Sequence, residues 1–199
     1  LIGLLSEPKL TDARRQQLIH ELYELLSRID WLITTLLKIS KFDAGTAVLH
    51  KEPVELAAVV EQVLAPFIIQ AEMRQMTLAV DCRQGQFLGD RLWTVEAVQN
   101  IVKNCLEHMD NGGTLRLTGT QTALYCQLVI ADDGCGIEKE DLPHIFERFY
   151  KGKNAGADSV GIGLALSKSV LNRENATVEV QSTVGVGTTF TIRFYRNII

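Results

Sequence analysis

The chain has 199 residues, a length that fits one ordinary domain with a small appendage. Its hydrophobic share of 46% and charged share of 22% are typical of a soluble globular protein and exclude a disordered or fibrous chain. The net charge of -4 argues against a general nucleic-acid-binding protein, because contacts to a phosphate backbone normally need a basic face. The four cysteines show no Cys-x-x-Cys spacing, so we expect reduced, cytosolic thiols and neither zinc nor disulfides.

The sequence shows no secretory signal, and no apolar run reaches the roughly 18 residues of a membrane span. It begins without Met, in the middle of an apolar pattern. We therefore expect a fragment of a longer protein, with no membrane contact of its own.

The first predicted element is a long helix that begins near Thr11 and Asp12, whose side-chain oxygens suit a helix cap. Its apolar positions recur every three or four residues, as in a coiled coil or helix bundle: Leu18, Leu22, Leu25, Ile29, Leu32, Leu36 and Ile39. A lone helix cannot bury such a face against itself. We expect self-association through this face; the alternative is that the helix lies on the following domain.

Residues 43–46 end this helix and residues 51–53 start a new segment, so we divide the chain into a partial helical region, 1–48, and a domain, 49–199. The second part predicts helices at 56–75, 92–109 and 164–172, and strands at 77–82, 114–119, 123–131, 177–182 and 188–195. Because consecutive strands look hairpin-linked, the pattern predicts an α+β fold with a mixed, largely antiparallel sheet and helices on one face.

Three features of this domain indicate chemistry. Glu96, Asn100 and Asn104 lie four residues apart, so a helix places them on one face beside apolar neighbours. Asparagine is a mediocre helix former, which makes a merely solvated row the less natural interpretation. The row is therefore a candidate functional feature.

Second, Asp132 follows a strand and is followed by Gly134 and Gly136. A carboxylate there can accept a hydrogen bond from the exocyclic amine of a base, while glycines let the backbone approach the ring. Taken alone, this segment could also be an ordinary turn.

Third, Gly161 and Gly163 lead into a helix whose N-terminal N–H groups can hold phosphate oxygens. Neither a dinucleotide-binding fingerprint nor a Walker-type motif is present.

In this order and spacing, the three features resemble boxes of the GHKL superfamily and, within it, of the sensor histidine kinases. The matching segments are 100–104 (N box), 132–136 (G1), 146–149 (F), 161–163 (G2) and the Gly-Thr element 185–190. Two departures are Glu107, where the family often has Lys, and Asn175-Ala176, which replaces a usual glycine pair.

The resemblance implies a Bergerat-type α/β sandwich, preceded by the remnant of a helical hairpin in which Leu1 to Leu5 end the first helix. It implies ATP and Mg²⁺ as cofactors, with Asp132 on the adenine amino group and Asn104 on the metal and phosphates, assisted by Asn100. By the resemblance, Asn100 and Asn104 are also the candidate catalytic residues. Lys153 is a further candidate phosphate contact. The ATP-binding set is Asn100, Lys103, Asn104, His108, Asp132, Gly134, Gly136, Ile137, Phe146, Arg148, Phe149, Lys151, Gly161, Gly163, Leu164 and Thr188.

Position 100 separates two enzyme classes, because the superfamily's ATP hydrolases resemble one another in carrying Glu there. Asn100 cannot act as a general base, so transfer to a protein is favoured over hydrolysis. Glu96 is the rival base in that row. The alternatives are a GHKL-type ATP hydrolase and a non-catalytic nucleotide-binding docking module.

His20-Glu21-Leu22 resembles the start of the family's phosphoacceptor box, but Tyr23-Glu24 follows where Thr-Pro would be expected. We interpret His20 as a solvated residue and place the acceptor His about ten residues before Leu1. The expected protein is then the cytoplasmic portion of a membrane-anchored bacterial sensor, dimeric through its stalk helices, with a response regulator as partner. The fragment itself is expected to be unable to autophosphorylate.

Overall fold

A computed structural model describes residues 11–152 and 160–196. The expected helix tail at Leu1 to Leu5 and the candidate Lys153 lie outside the described residues. The helices are α1 (Asp12–Asp43), α2 (Leu56–Leu64), α3 (Ile68–Met73), α4 (Arg91–Glu107) and α5 (Gly163–Arg173). The strands are β1 (Glu52–Glu55), β2 (Thr77–Asp81), β3 (Gln86–Gly89), β4 (Thr114–Gln121), β5 (Tyr125–Asp132), β6 (Ala176–Thr183) and β7 (Gly187–Tyr195).

Five strands form the main sheet in the order β2-β4-β5-β7-β6. The β2 and β4 strands run parallel, and every other neighbouring pair is antiparallel. Side chains alternate along each central strand, so Leu117, Leu128 and Ile192 are buried while Gln127 and Arg193 lie on the opposite face. The predicted α+β fold with a mostly antiparallel sheet is confirmed.

The core lies between the inner face of this sheet and the helices α2, α4 and α5. Helix α4 contributes Val98, Ile101 and Val102, which are fully buried against the strands. Because α4 and α5 share this core, their positions relative to β5 are set by packing. The polar row of α4 is thereby held beside the beginning of α5.

One expectation about local structure was wrong, and one pair of strands was missed. The predicted helix at 56–75 is interrupted by a 3₁₀ turn at Ala65–Phe67, where Pro66 supplies no backbone N–H. Strands β1 and β3, four residues each, pair antiparallel in a separate small sheet and were missed. Elements this short show too few alternations to be recognised from sequence.

The segment Leu56–Met73 has the length and mean hydropathy of a membrane-crossing helix, contrary to the expectation that no apolar run is long enough. Length and composition are weak evidence here, because the core helix of a globular protein can meet the same criteria. Val59, Val60 and Val63 are buried in the core of the domain.

Helix α1 is capped by Thr11, whose hydroxyl accepts a hydrogen bond from the Arg14 N–H, and it ends before Gly45, which has φ of +69°. In its C-terminal half, Ile39 and Phe42 are buried against the domain. Farther towards the N-terminus, Leu25 and Ile29 of the predicted seam are exposed, whereas Leu18 is buried. The alternative that this helix lies on the following domain therefore holds for its C-terminal half, and self-association stays a prediction.

Candidate functional site

The polar row on α4 is positioned by the start of that helix. The Asp90 side chain caps α4 by accepting hydrogen bonds from the N–H groups of Leu92 and Trp93, at 3.1 and 3.3 Å. One side of the helix is buried, and Asn100 and Asn104 lie half-buried beside it. The predicted row of amide side chains is present.

Asp132 lies at the end of β5 and is fixed by backbone donors. Its Oδ1 accepts hydrogen bonds from the N–H groups of Gly134, at 3.0 Å, and Thr188, at 3.1 Å. Burial first, and then the Asp132 carboxylate beside it, raise the pKa of the Cys105 thiol well above its usual value. The thiol therefore stays neutral. The two backbone hydrogen bonds orient the Asp132 side chain.

Gly134 and Gly187 leave no room for a side chain around Asp132. A Cβ on Gly134 would lie 2.4 Å from the His108 carbonyl oxygen, and one on Gly187 would lie 2.0 Å from the Asp132 carbonyl oxygen. Gly187 also has φ of +131°, which L side chains rarely adopt. The backbone around Asp132 therefore depends on glycine.

The second glycine segment brings the N-terminus of α5 to the amide row. Gly161 has φ of +73°, and a Cβ there would lie 2.3 Å from the Tyr150 carbonyl oxygen. At Gly163, where α5 begins, a Cβ would lie 3.4 Å from Asn100 Oδ1. The positive end of a helix dipole and two amide side chains thus converge, a combination suited to an anion.

A cavity of about 440 Å³ opens between α4, α5 and the segment after β5. It is lined by ten residues of the predicted ATP-binding set: Asn100, Lys103, Asn104, His108, Gly136, Ile137, Lys151, Gly161, Gly163 and Leu164. The volume is that of a small-molecule site. Its lining also carries charge of both signs, from the cations Arg28, Lys103 and Lys151 and the acidic residues Glu107, Glu138 and Asp141.

The other six residues of that set do not line the cavity. Asp132 is one of them, and two others, Gly134 and Thr188, donate their N–H groups to its carboxylate. Phe146 packs edge-on to Phe190, with ring centroids 6.5 Å apart.

Two further members of that set come from the same segment as Phe146. The Arg148 guanidinium forms an ion pair with Asp43 at the end of α1. Phe149 is 57% exposed. Binding roles for all six remain predictions.

Several residues that line the cavity were not predicted. Tyr150 and Asp141 do so, and the Tyr150 hydroxyl donates to Asp141 Oδ1 at 2.7 Å. This hydrogen bond is the main cause that raises the pKa of Tyr150. Ser27, Arg28 and Trp31 come from α1. The sequence contained one sign of this: Ser27, Trp31 and Lys38 are four and seven residues apart and therefore lie on one face of the helix.

The carboxylate of Glu96, the alternative general base, forms an ion pair with Lys38 of α1. The Lys38 ammonium donates to Glu96 Oε1 and also lies 5.6 Å from the centroid of the Trp93 ring. The carboxylate is one turn from Asn100 but is not among the residues that line the cavity. In this arrangement it is poorly placed to activate a water molecule there.

Comparison with known proteins agrees with this geometry. Residues 89–198 match the family described as histidine kinase-, DNA gyrase B-, and HSP90-like ATPase. The heme sensor protein HssS of Staphylococcus saprophyticus is 31% identical over 194 residues, which cover 98% of this chain and 42% of that protein. HssS of Staphylococcus aureus is 26% identical over 196 residues, covering 98% and 43%. The chain thus spans less than half the length of these relatives.

Solved structures share the fold. The mycobacterial sensor histidine kinase MprB aligns with a TM-score of 0.67 at 25% identity, covering 72% of this chain and 97% of that one. Histidine kinase AdeS of Acinetobacter baumannii aligns with a TM-score of 0.78 at 22% identity, covering 98% and 90%. The family match covers more than half of the chain and the folds agree. The chain therefore belongs to the histidine kinase-, DNA gyrase B- and HSP90-like ATPase family, as a catalytic domain of the sensor histidine kinase type.

Proposed function

We propose that the chain is the ATP-binding catalytic part of a sensor histidine kinase, which transfers the γ-phosphoryl group of ATP to a histidine of the longer protein. From there the group passes to an aspartate of a response regulator. The observation that carries the proposal is the convergence of Asn100, Asn104 and the Gly163 end of α5 in one cavity. Residues 49–199 are the ATP-binding domain in this proposal, and residues 1–48 belong to a stalk that dimerises.

The residues present fit ATP with Mg²⁺. The amide oxygen of Asn104 is a ligand of the kind that Mg²⁺ accepts, and the N–H groups at the start of α5 suit phosphate oxygens. Asp132, held by its backbone donors, offers a carboxylate to the adenine amino group. Bound Mg²⁺ would neutralise charge that develops on the phosphates during transfer.

Phosphoryl transfer is favoured over hydrolysis by two features of α4. Asn100 stands where a hydrolase of this superfamily would need a general base, and an amide has no basic site at neutral pH. Glu96 is engaged by Lys38. Catalysis by this chain is then a matter of positioning the nucleotide and excluding water.

The adenine assignment is tested by Asp132→Asn. Losing an ionic hydrogen bond is expected to weaken Mg·ATP binding by about 1.5 to 3 kcal/mol, measured by isothermal titration calorimetry. Asp133→Asn is the matched control, because the neighbouring Asp133 carboxylate is engaged elsewhere, accepting from the Thr114 N–H at 2.8 Å. Neither aspartate is among the residues that line the cavity, so the two variants differ only in the proposed adenine contact. Equal affinities for Asp132→Asn and the unaltered chain would overturn the assignment.

The choice between kinase and hydrolase is tested with γ-labelled ATP. The chain is expected to release no inorganic phosphate above the uncatalysed rate, and His20 is expected to stay unlabelled. His20 lies on the exposed surface of α1, where its Nε2 is 3.4 Å from Glu24 Oε1. Steady phosphate release that Glu96→Gln abolishes would favour the hydrolase, and label on His20 would contradict the proposed acceptor.

A further inference from the structure

Helix α1 runs antiparallel along α4 in a regular register. Phe42 packs edge-on to Trp93 with ring centroids 4.8 Å apart, Lys38 pairs with Glu96, and Trp31 lies under the Lys103 ammonium. Between the last two pairs, both helices advance seven residues in opposite directions, which is two turns of each. Three side-chain pairs therefore join α1 to α4 between the end of α1 and the cavity.

This register makes α1 part of the cavity wall. Ser27, Arg28 and Trp31 line it together with Lys103 and Asn104. Trp31 is 38% exposed, so its ring is partly covered and partly open. One wall of the proposed nucleotide site is thus supplied by residues that precede the family-matched segment, residues 89–198.

The Lys103 ammonium is held between two groups at this wall. It lies 5.4 Å from the centroid of the Trp31 ring and 3.7 Å from Glu107 Oε1, one turn farther along α4. A lysine side chain is long and flexible, and a free one loses much conformational freedom when it binds a phosphate. A ring face that already restrains the ammonium reduces that loss.

We propose that Trp31 of α1 is a positioning residue of the nucleotide site, which holds the Lys103 ammonium beside Asn104 for contact with the phosphates. The inference rests on the proposed ATP binding and deepens it, because it joins the stalk helix to phosphate recognition. Trp31 acts through Lys103, and the predicted ligand of Lys103 is the nucleotide's phosphate chain.

The test is a double-mutant cycle on the whole chain, with binding of a non-hydrolysable Mg·ATP analogue and of adenosine measured for each variant. Trp31→Leu and Lys103→Met are each expected to weaken binding of the analogue about two- to fivefold and to leave adenosine binding unchanged. The double variant is expected to bind the analogue with the same affinity as whichever single variant binds it more weakly. Trp31→Phe, which keeps a ring face, is expected to retain most of the affinity.

Tyr23→Leu is the control, because Tyr23 is an exposed aromatic residue of the same helix that does not line the cavity. The inference is overturned if Trp31→Leu leaves analogue binding unchanged, if the two losses multiply in the double variant, or if adenosine binding falls equally. Failure of the unaltered chain to bind the analogue would overturn both the inference and the proposed function. Normal binding that depends on Asp132 but not on Trp31 would overturn the inference alone.

Discussion

The segment from Asp132 to Ile137, which we call the floor, and the α1 wall of the cavity are held by different kinds of contact. Gly136 and Ile137 of the floor line the cavity, whereas Asp132 does not. Around Asp132, the floor is made of backbone hydrogen bonds and of glycines that have no space for a side chain. The wall is held near the cavity by half-exposed side chains, such as Trp31 with Lys103. A packed backbone has essentially one arrangement, whereas side-chain contacts of this kind break at small cost.

The wall is also uneven along its length. Its far end is anchored by Ile39 and Phe42, whose burial stabilises by about 1.5 to 3 kcal/mol each. Towards the cavity, Leu25 and Ile29 are exposed and contribute little to holding α1 on the domain. The position of the floor therefore depends on the fold of the domain itself. The part of α1 that lines the cavity is more easily displaced from the domain.

The largest expected effect comes from breaking the floor with Gly187→Ala. A Cβ would meet the Asp132 carbonyl at 2.0 Å, and φ is +131°, so we expect a loss of about 2 to 4 kcal/mol in the free energy of unfolding. Urea denaturation measures it. Gly185→Ala is the control, because its φ is also positive, at +74°, but nothing lies within 4 Å of the added Cβ. Equal losses for both variants would show that the floor is not tightly packed.

An effect of intermediate size is expected where the end of α5 meets the start of α4. Glu174 is buried after α5, where Oε1 accepts from the Asp90 N–H at 2.8 Å and Oε2 from the Thr94 hydroxyl at 2.7 Å. Asp90 in turn accepts from the His50 N–H in the segment after α1. Burial raises the pKa of Glu174 to about 7. Because the folded state prefers the protonated carboxyl, its stabilisation is full below the unfolded pKa of about 4.5 and is lost as the pH rises through about 7.

We therefore expect the free energy of unfolding to fall by about 1 to 3 kcal/mol more in the unaltered chain than in Glu174→Gln between pH 4.5 and pH 8. Urea titrations across this range measure the difference. Glu61→Gln, on the exposed side of α2, is the control and should leave the pH dependence unchanged. Identical pH profiles for Glu174→Gln and the unaltered chain would contradict the assignment.

The smallest effect is expected at the wall. Lys38 and Glu96 are each about one third exposed, so their ion pair is expected to contribute about 0.3 to 1 kcal/mol. A cycle of Lys38→Met, Glu96→Gln and the double variant, followed by urea denaturation, measures this coupling. It should decrease in high salt. A coupling above 2 kcal/mol would mean that the wall is held as firmly as the floor.

Much of the site could be predicted from sequence because its residues lie close together along the chain. The Asn100–Asn104 row follows from helical periodicity, and the glycines at 161 and 163 mark the start of a helix. Ten of the predicted residues line one cavity. Phe146 and Arg148 were predicted from their segment alone, but their side chains pack on Phe190 and pair with Asp43 instead of lining it.

The sequence by itself determined which helices and central strands form and which face of each is apolar, since those patterns repeat within a few residues. It also determined that position 100 lacks a general base. Only the tertiary structure decided which element covers each face. Lys38 and Glu96 form a hydrogen bond although they are 58 residues apart in sequence, and Asp90 and Glu174 do so although they are 84 apart. An amphipathic helix such as α1 fits several partners, and the choice among them depends on long-range packing.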